Sequence, residues 1–469
     1  MTTPDFAAVR AEFALPDGFP PAVLAEAATA AASRPAGERV DATAIELVTI
    51  DPPGSKDLDQ ALGVTRRGDG FRVYYAIADL GAVVVPGSAL DDEVRRRGQT
   101  IYLPDGSVPL HPPILSEGAS SLLPDGPRPA VLWTIDLDGA GERTAVEVHR
   151  ATVASRARLD YAGVQADVDA GRLHPAIAAL PELGGLRRAL AVARGAIELE
   201  LPEQEVVPDG AGGWTTQIRQ RLDVESWNAE ISLLTGMAAA SIMLAAGVGV
   251  LRTLPAPDPS AVAQLRRTAA TLGFDWPRGA TAAQVLSGLP RETGPALALR
   301  RAASALLRGA GYAAFDRAAG MEVPADPGHG AIGAPYAHVT APLRRLVDRF
   351  GTEVCLAVSA GVALPEWLTT ALPTLPTIMS ESDTLAGKVD RACVDRTEAA
   401  MLAPRVGAEF DAVVLRASGA DEHGEVFVAE PPVLARADDV PRAGEVVRVR
   451  LVEADPATGR IVFSAGGSP

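Results

Sequence analysis

Residues 50–62 read IDPPGSKDLDQAL and place Asp51, Asp57 and Asp59 within nine residues. Side chains two positions apart in an extended segment leave the same face, so Asp57 and Asp59 are expected on one side. The turn at residues 52–54 can bring Asp51 back to that side. Three carboxylates held this close repel one another, and Mg²⁺ prefers carboxylate, water and phosphate oxygens. The segment therefore predicts either a magnesium site or a solvated acidic turn.

An apolar run, AIELVTI at residues 44–50, leads into this segment. Its composition predicts a strand that enters a core. On spacing alone a solvated turn is the commoner outcome, and the strand shifts the balance toward a site. Both interpretations stay open from these residues alone.

The remaining patterns predict an α+β protein. Residues 1–40 contain two helical patterns, Asp5–Phe13 and Pro21–Ser33, which favour a packing role over a nucleic-acid reader. Strand patterns dominate residues 41–150 and alanine- and leucine-rich helices dominate residues 155–400, which indicates a sheet-borne site covered by helices. We predict a helix-turn-helix-like segment at 1–40, a large α+β domain at 41–404 and a small domain at 405–469.

Five strand patterns in the last part of the chain predict a small barrel. They are Phe410–Leu415, Glu425–Ala429, Val433–Ala435, Glu445–Val452 and Ile461–Ser464. Residues 405–469 carry seven arginines and eleven acidic residues, a net charge of −4. Any contact of this barrel with nucleic acid is therefore expected to be weak.

Composition is that expected of an intracellular protein. The 469 residues can form two to four domains. Cys355 and Cys393 match no metal-ligand spacing, which favours a reducing compartment. No run approaches the length of a membrane span, and the N-terminus lacks the features of a signal peptide. We expect a cytoplasmic monomer with no membrane partner.

The distribution of charge limits the mode of nucleic-acid binding. The net charge of −16 argues against broad adhesion to nucleic acid. Residues 300–350 nevertheless contain seven arginines against four acidic residues, a local excess of +3. This pattern is compatible with one strand entering a locally basic channel.

Several segments, in the same order along the chain, resemble the catalytic domain of the ribonuclease II and ribonuclease R (RNB) family. The acidic segment is similar to the family signature, an isoleucine–aspartate turn followed by an aspartate-x-aspartate-aspartate run. Further similar motifs are IAD at 77–79, VPGSALD at 85–91, RRRG at 95–98, IYLPD at 101–105, VPL at 108–110, LS at 115–116, SL at 121–122 and YAHVTAPLRR at 336–345. The resemblance spans residues 41–400 and implies an RNB-type catalytic domain followed by an OB-fold RNA-binding barrel.

The resemblance implies a metal-dependent site. Asp51, Asp57 and Asp59 match residues that bind one or two Mg²⁺ ions, and Asp59 matches the position most closely tied to catalysis. Gln60 stands where the family usually has a fourth aspartate, so it offers an oxygen ligand without a charge. Arg344 matches an arginine aimed at the scissile phosphate, where its fork can bind two oxygens.

The resemblance also implies RNA contacts outside the acidic segment. Tyr102 matches a tyrosine that packs on the 3′-terminal base. Tyr161 and Glu230 match residues that contact ribose, whose 2′-hydroxyl distinguishes RNA from DNA. Arg345 is the second member of the arginine pair, for which an ion pair is the structural alternative. Leu199 stands near a base-clamping phenylalanine position, which predicts a weaker outer stack.

The activity implied is that of a processive, Mg²⁺-dependent 3′→5′ exoribonuclease. It would degrade single-stranded RNA to 5′-mononucleotides and stall near duplexes. One alternative is a catalytically weakened RNA-binding protein in which Gln60 spoils the metal site. Another is a ribonuclease-R-type enzyme that digests structured RNA, which the short N-terminal segment and the absence of a basic tail disfavour.

Overall fold

The computed structural model describes residues 4–33, 35, 37–199, 203–210, 212–219, 221–290, 293–419 and 423–465. The first described segment forms helices α1 (Phe6–Glu12) and α2 (Pro21–Ala32), where the sequence predicts them. The Asp5 carboxylate accepts the N–H of Ala8 at 3.1 Å and so caps α1.

Both N-terminal helices pack against the rest of the protein. Phe6 meets Trp214 edge to face, with ring centroids 5.3 Å apart. The Glu26 carboxylate accepts the N–H groups of Ala89 and Leu90, at 3.2 and 2.7 Å, at the start of a third helix. In the structure this segment is a packing element, as its sequence pattern favours.

Residues 40–160 form the sheet that carries the acidic segment. The strands are β1 (Val40–Asp41), β2 (Leu47–Asp51), β3 (Gln60–Arg67), β4 (Gly70–Ala78), β5 (Ile101–Leu103), β6 (Gly106–Val108), β7 (Arg128–Leu137), β8 (Arg143–Val153) and β9 (Ser155–Asp160). Seven of them make one sheet in the order β1-β8-β7-β4-β3-β2-β9, and β5 and β6 form a separate hairpin. β1 pairs with β8 and β2 with β9 in parallel, and the other neighbours are antiparallel. Tyr75 and Trp133 face each other across β4 and β7 and are buried, so the centre of the sheet lies in the core.

The other helices include several that pack on this sheet, as predicted from the sequence, and several that form a separate apolar cluster or contact the barrel. They are α3 (Ala89–Arg97), α4 (Tyr161–Asp169), α5 (Leu180–Ala193), α6 (Asp223–Ala246), α7 (Pro259–Thr271), α8 (Ala282–Ser287), α9 (Gly294–Ala303), α10 (Leu346–Ser359), α11 (Glu366–Ala371) and α12 (Leu375–Leu402). Single 3-10 turns lie at Leu80–Ala82, Pro175–Ile177, Ser304–Leu307, Arg317–Ala319, Leu372–Thr374 and Ala403–Arg405, and a π-helical turn lies at Leu115–Ala119.

Three two-stranded sheets interrupt the helical part, which the sequence patterns had not predicted. They pair β10 (Glu203–Pro208) with β11 (Trp214–Arg219), β12 (Val248–Thr253) with β13 (Gly311–Asp316), and β14 (Gly328–His329) with β15 (Ala334–Pro335). β12 follows directly after α6 in one apolar run, so the run alone concealed the change from helix to strand.

Helix α6 corrects one expectation about the sequence. By length and composition it could cross a membrane, although no run had been expected to reach that length. Half of its most apolar window is buried inside the protein. It also packs against α5 and α10, which accounts for its apolar composition as that of a core helix.

The five predicted strands of the last part form a closed barrel, which confirms that expectation. They are β16 (Glu409–Arg416), β17 (Gly424–Ala429), β18 (Pro432–Asp438), β19 (Val446–Asp455) and β20 (Arg460–Ser464), in the order β16-β17-β18-β20-β19. Arg301 of α9 donates two hydrogen bonds to Glu425, at 2.9 and 2.7 Å. The Thr216 hydroxyl of β11 donates to the carbonyl of Pro432 at 3.0 Å. Contacts with α9 and with β11 therefore fix the barrel to the preceding part of the chain.

Candidate active site

The acidic segment is a loop between neighbouring strands of the sheet. β2 ends at Asp51 and β3 begins at Gln60. Leu58 is fully buried and anchors the loop to the core. Asp57 and Asp59 flank Leu58, so the alternation of side chains directs both acids away from its apolar surroundings.

Asp51 and Asp57 lie close enough to repel each other. Burial, and next the charge of Asp57, raise the pKa of Asp51 to about 6, while Arg344 acts in the opposite direction. Burial of a carboxylate beside a like charge disfavours its ionised form. A divalent cation next to this pair would relieve both effects.

Asp59 is turned toward a distant segment of the chain. It is 3 % exposed, and its Oδ1 accepts the N–H of Leu343 at 2.7 Å. Its Oδ2 lies 3.7 Å from Nε of Arg344. Burial raises the pKa of Asp59 well above its ordinary value, although Arg344 and the Leu343 N–H oppose the shift. Asp59 thus links the acidic loop to the arginine segment.

The two neighbouring arginines have different environments. Arg345 donates two hydrogen bonds to Asp348, at 2.9 and 2.8 Å, and its side chain is 17 % exposed. Arg344 is 46 % exposed and faces Asp59. The ion pair that was one alternative for this motif is made by Arg345, and Arg344 is the arginine that faces the acidic loop.

Gln60 also contacts the arginine segment. Its Nε2 donates to the carbonyl oxygen of Thr340 at 2.5 Å. A carbonyl oxygen can only accept, so the amide nitrogen must face it. This bond uses the nitrogen end of the amide, whereas the predicted role of Gln60 as a metal ligand would use its oxygen.

Tyr102 lies at the edge of the acidic loop. It is 52 % exposed, and its hydroxyl donates to Oδ2 of Asp57 at 3.2 Å. The structure therefore brings the exposed ring of Tyr102 next to the carboxylate pair. Leu199, which was expected at the outer end of a base stack, packs into an apolar cluster with Leu265 and Leu286.

Tyr161 approaches the acidic loop from the side of α4. Burial and the charge of Asp51 raise its pKa. Its hydroxyl lies 3.4 Å from Nδ2 of Asn228, a residue of α6 that the sequence analysis did not select. Ser232, four positions further along α6, lies 2.7 Å from the Tyr75 hydroxyl. A polar residue repeated at this helical spacing in an apolar helix was the available signal.

Glu230 faces a different side of α6. It lies two positions from Asn228, which is about 200° around a helix. Glu230 borders a cavity of about 360 Å³ whose lining also includes Arg188, Arg194 and Arg221. Oε2 of Glu230 and Nη2 of Arg194 are buried and have no hydrogen-bond partner among the described residues. The structure therefore does not bring Glu230 to the three aspartates but places it in an arginine-rich cavity.

The donors around the acidic loop fit a hard divalent cation. Mg²⁺ is commonly held by one or two carboxylates, with water and phosphate completing its shell. Asp51 and Asp57 supply such a pair, and Asp59 stands beside them. Within the described part of the chain no group of three acidic, histidine or cysteine side chains meets the geometry of a metal site. Water and substrate oxygens would therefore have to complete the coordination.

The sheet, the acidic loop and the arginine segment define the class of protein: the chain belongs to the RNB family, whose domain matches residues 39–351. An RNase II-type exonuclease C-terminal S1 domain matches residues 408–466. Ribonuclease R of Escherichia coli is 30 % identical over 327 residues, which are 66 % of this chain and 39 % of that protein. The chain thus spans about two-fifths of the length of this curated relative. These matches confirm the resemblance found in the sequence.

Solved structures share the fold. Apo RNase R of Mycoplasma genitalium gives a TM-score of 0.86 at 20 % identity, covering 98 % of this chain and 77 % of that one. The same protein in complex with ribose-methylated single-stranded RNA and with double-stranded RNA gives 0.84 in each case. Yeast Ssd1, described as a pseudonuclease, gives 0.69 at 17 % identity, covering 90 % of this chain and 52 % of that one.

Proposed function

We propose that this protein is a Mg²⁺-dependent, processive 3′→5′ exoribonuclease that degrades single-stranded RNA to 5′-mononucleotides. The observation that carries the proposal is the position of Arg344, half exposed and 3.7 Å from Asp59, beside the repelling pair Asp51 and Asp57. The carboxylates that could bind a metal ion and the arginine that could bind a phosphate thus lie together. Membership of the RNB family supports the same activity.

The residues of the site divide the work of phosphodiester hydrolysis. A Mg²⁺ ion on Asp51 and Asp57 would offset phosphate charge and lower the pKa of an attacking water. The Arg344 guanidinium binds phosphate oxygens and stabilises the charge that develops on them. Asp59 orients Arg344 through the ion pair, and the exposed ring of Tyr102 stacks on the 3′-terminal base.

Polar groups beyond the acidic loop would bind the rest of the RNA strand. Tyr161 and Asn228 offer hydrogen bonds close to Asp51 and can read a ribose hydroxyl. The cavity at Glu230 offers a buried acceptor oxygen, and Arg194 there offers a buried donor nitrogen, both without a partner among the described residues. A ribose and a phosphate of the incoming strand would satisfy these two groups.

Two rival functions each have an observation in their favour. Gln60 brings no charge to the acidic loop, and the fold is shared with a protein described as a pseudonuclease, which favours a non-catalytic RNA-binding protein. The similar RNase R of M. genitalium was solved with double-stranded RNA, which favours digestion of structured RNA. The geometry of the acidic loop favours a catalytic role over the non-catalytic rival, and the preference for single strands remains part of the proposal.

The test is incubation of the purified protein with 5′-labelled oligo(A), with Mg²⁺ and with a chelator. A ladder that shortens to one small product, with 5′-mononucleotides released and no reaction in chelator, supports the proposal. RNA that is bound but stays intact supports the non-catalytic rival. Internal cleavage without mononucleotides contradicts exonucleolytic action.

A further inference from the structure

Gln60 and Asp59 are adjacent in the chain and both bind the segment that carries Arg344. Asp59 accepts the N–H of Leu343 at 2.7 Å, and Gln60 donates to the carbonyl of Thr340 at 2.5 Å. Two consecutive side chains thus hold the segment at points three residues apart, one as acceptor and one as donor.

The two ends of residues 340–345 are held in different ways. At the C-terminal end, Arg344 C=O accepts the N–H of Thr100 at 2.9 Å. Asp348 accepts the N–H of Ala341 at 2.6 Å. At the other end, the bond from Gln60 ties the carbonyl of Thr340 to the first residue of β3, directly after the acidic loop. Among the described residues the Arg344 side chain has one long ion pair, to Asp59, so its direction depends on the backbone that carries it as well as on Asp59.

The hydrogen bond to the carbonyl of Thr340 requires a donor, which the amide of Gln60 provides. A carboxylate is an acceptor only and would place a negative oxygen against the carbonyl oxygen of Thr340. An aspartate is also one methylene shorter and could not keep the same reach. Gln60, which stands where the family usually has an aspartate, therefore makes a hydrogen bond that an ionised aspartate could not make.

We propose that Gln60 is a positioning residue: it holds the 340–345 segment so that Arg344 points at the substrate phosphate. The proposal rests on the proposed function, because it takes Arg344 as the phosphate-binding group. It assigns to the residue that departs from the family motif a role in placing the arginine.

The test compares Gln60→Glu and Gln60→Asp with the unmodified protein. Loss of the bond is expected to lower kcat about 10- to 100-fold with little change in KM, because small displacements of a catalytic group are costly. The Mg²⁺ concentration for half-maximal rate should stay within about twofold of the unmodified value if no ligand has been added or removed. A several-fold lower Mg²⁺ requirement with kcat kept or raised would overturn the proposal.

Gln99→Glu is the matched control. The Gln99 amide donates to the carbonyl of Ser382 at 2.9 Å, so the change removes the same kind of bond from the contact with α12. It is expected to lower thermal stability while kcat stays within about twofold. An equal fall in kcat for Gln99→Glu would show that general destabilisation explains the effect, and would overturn the positioning role.

Two measurements need no nuclease activity. Hydrogen exchange of the peptide covering residues 340–346 should become faster in Gln60→Glu at pH 8 than in the unmodified protein. A protonated glutamate can donate to Thr340, so the stability deficit of Gln60→Glu should shrink as the pH falls toward about 4.3. Unchanged exchange, or a deficit independent of pH, overturns the proposal. Intact RNA with the unmodified protein defeats the proposed function alone, and faster exchange would still support Gln60 as the residue that holds the segment.

Discussion

Asp59 is the residue on which most of the proposed chemistry depends. It is buried, bonded to the Leu343 N–H and paired with Arg344, so its charge fixes the direction of the arginine. Asp59→Asn keeps the shape and removes that charge. We expect RNA cleavage to fall at least about 100-fold while RNA binding persists, because the charge-stabilising contributions are several kcal/mol each.

The measurement is the single-turnover cleavage rate of oligo(A), with binding followed by fluorescence anisotropy. Asp69→Asn, at an exposed turn between β3 and β4, is the control and should leave both unchanged. Turnover near the unmodified rate in Asp59→Asn would remove the acidic loop from the mechanism.

Asp51 gives the site a dependence of stability on pH. Its folded pKa of about 6 lies above the ordinary value of 3.8, so the folded state binds the proton more tightly than the unfolded state. The stabilisation of the folded state by this proton is fully present below pH 3.8 and is lost as the pH rises through about 6. Asp51→Asn removes the titration, so in chelator its stability advantage over the unmodified protein should grow from pH 5 to pH 7.

Thermal unfolding at pH 5, 6 and 7 measures this difference. Addition of Mg²⁺ should stabilise the unmodified protein more at pH 7 than at pH 5, since the ion binds the ionised carboxylates. A difference between the two proteins that is constant with pH would contradict the raised pKa of Asp51, which burial and then the charge of Asp57 produce.

At the scale of elements, α6 presents polar residues on two faces. Asn228 meets Tyr161 close to the acidic loop, and Glu230 borders the arginine-rich cavity. We expect both Asn228→Ala and Glu230→Ala to narrow the preference for RNA over DNA by about 10-fold, because each loses one hydrogen bond to a ribose hydroxyl.

Initial rates on matched RNA and DNA oligonucleotides test this expectation. Asp223→Asn, which is exposed at the start of the same helix, is the control and should keep the preference. If the unmodified protein cleaves RNA and DNA equally, neither residue reads the ribose.

The contact between α2 and α3 supports a prediction about the N-terminal segment. The Leu90 N–H lowers the pKa of Glu26, so the contact stabilises the folded state at neutral pH and weakens as the pH falls. Glu26→Gln should lower the midpoint of thermal unfolding by about 1–2 °C at pH 7 and less at pH 4, with RNA affinity unchanged. Weaker RNA binding in this variant would indicate that the segment contacts RNA.

At the scale of the whole molecule, the outer barrel surface is poorly suited to bind phosphates. Arg448 and Arg450 both pair with Glu409, at 3.5 and 3.1 Å. Affinity for long RNA should therefore fall shallowly with salt, as for roughly three or four phosphate contacts. If the site accepts only single strands, as proposed, a hairpin with a long 3′ tail should be trimmed to a short stub that ends at the stem.

Gel resolution of the hairpin products to single nucleotides gives the measurement. A blunt hairpin is the control and should stay intact. Digestion through a stable stem would instead place the protein with enzymes that degrade structured RNA.

Local patterns in the sequence predict most of the architecture, though not the three two-stranded sheets, and they do not predict the contacts within the site. The helices, the barrel strands and the loop with Asp51, Asp57 and Asp59 follow from periodicity and spacing. The bonds from Asp59 to Leu343 and from Gln60 to Thr340 join residues about 280 positions apart, and no local pattern reports such a contact. The division of roles between Arg344 and Arg345 depends on Asp348 for the same reason.

The docking of the barrel has a consequence for how a reaction ends. Because Arg301 and Thr216 both bind it, the barrel is docked on the rest of the protein, and we expect its distance from the acidic loop to stay the same during the reaction. An RNA strand that must contact both the barrel and the acidic loop to stay bound must then be at least as long as the distance between them. Once it is shorter than that span it dissociates, so the last product should have one fixed length, whatever the sequence of the RNA.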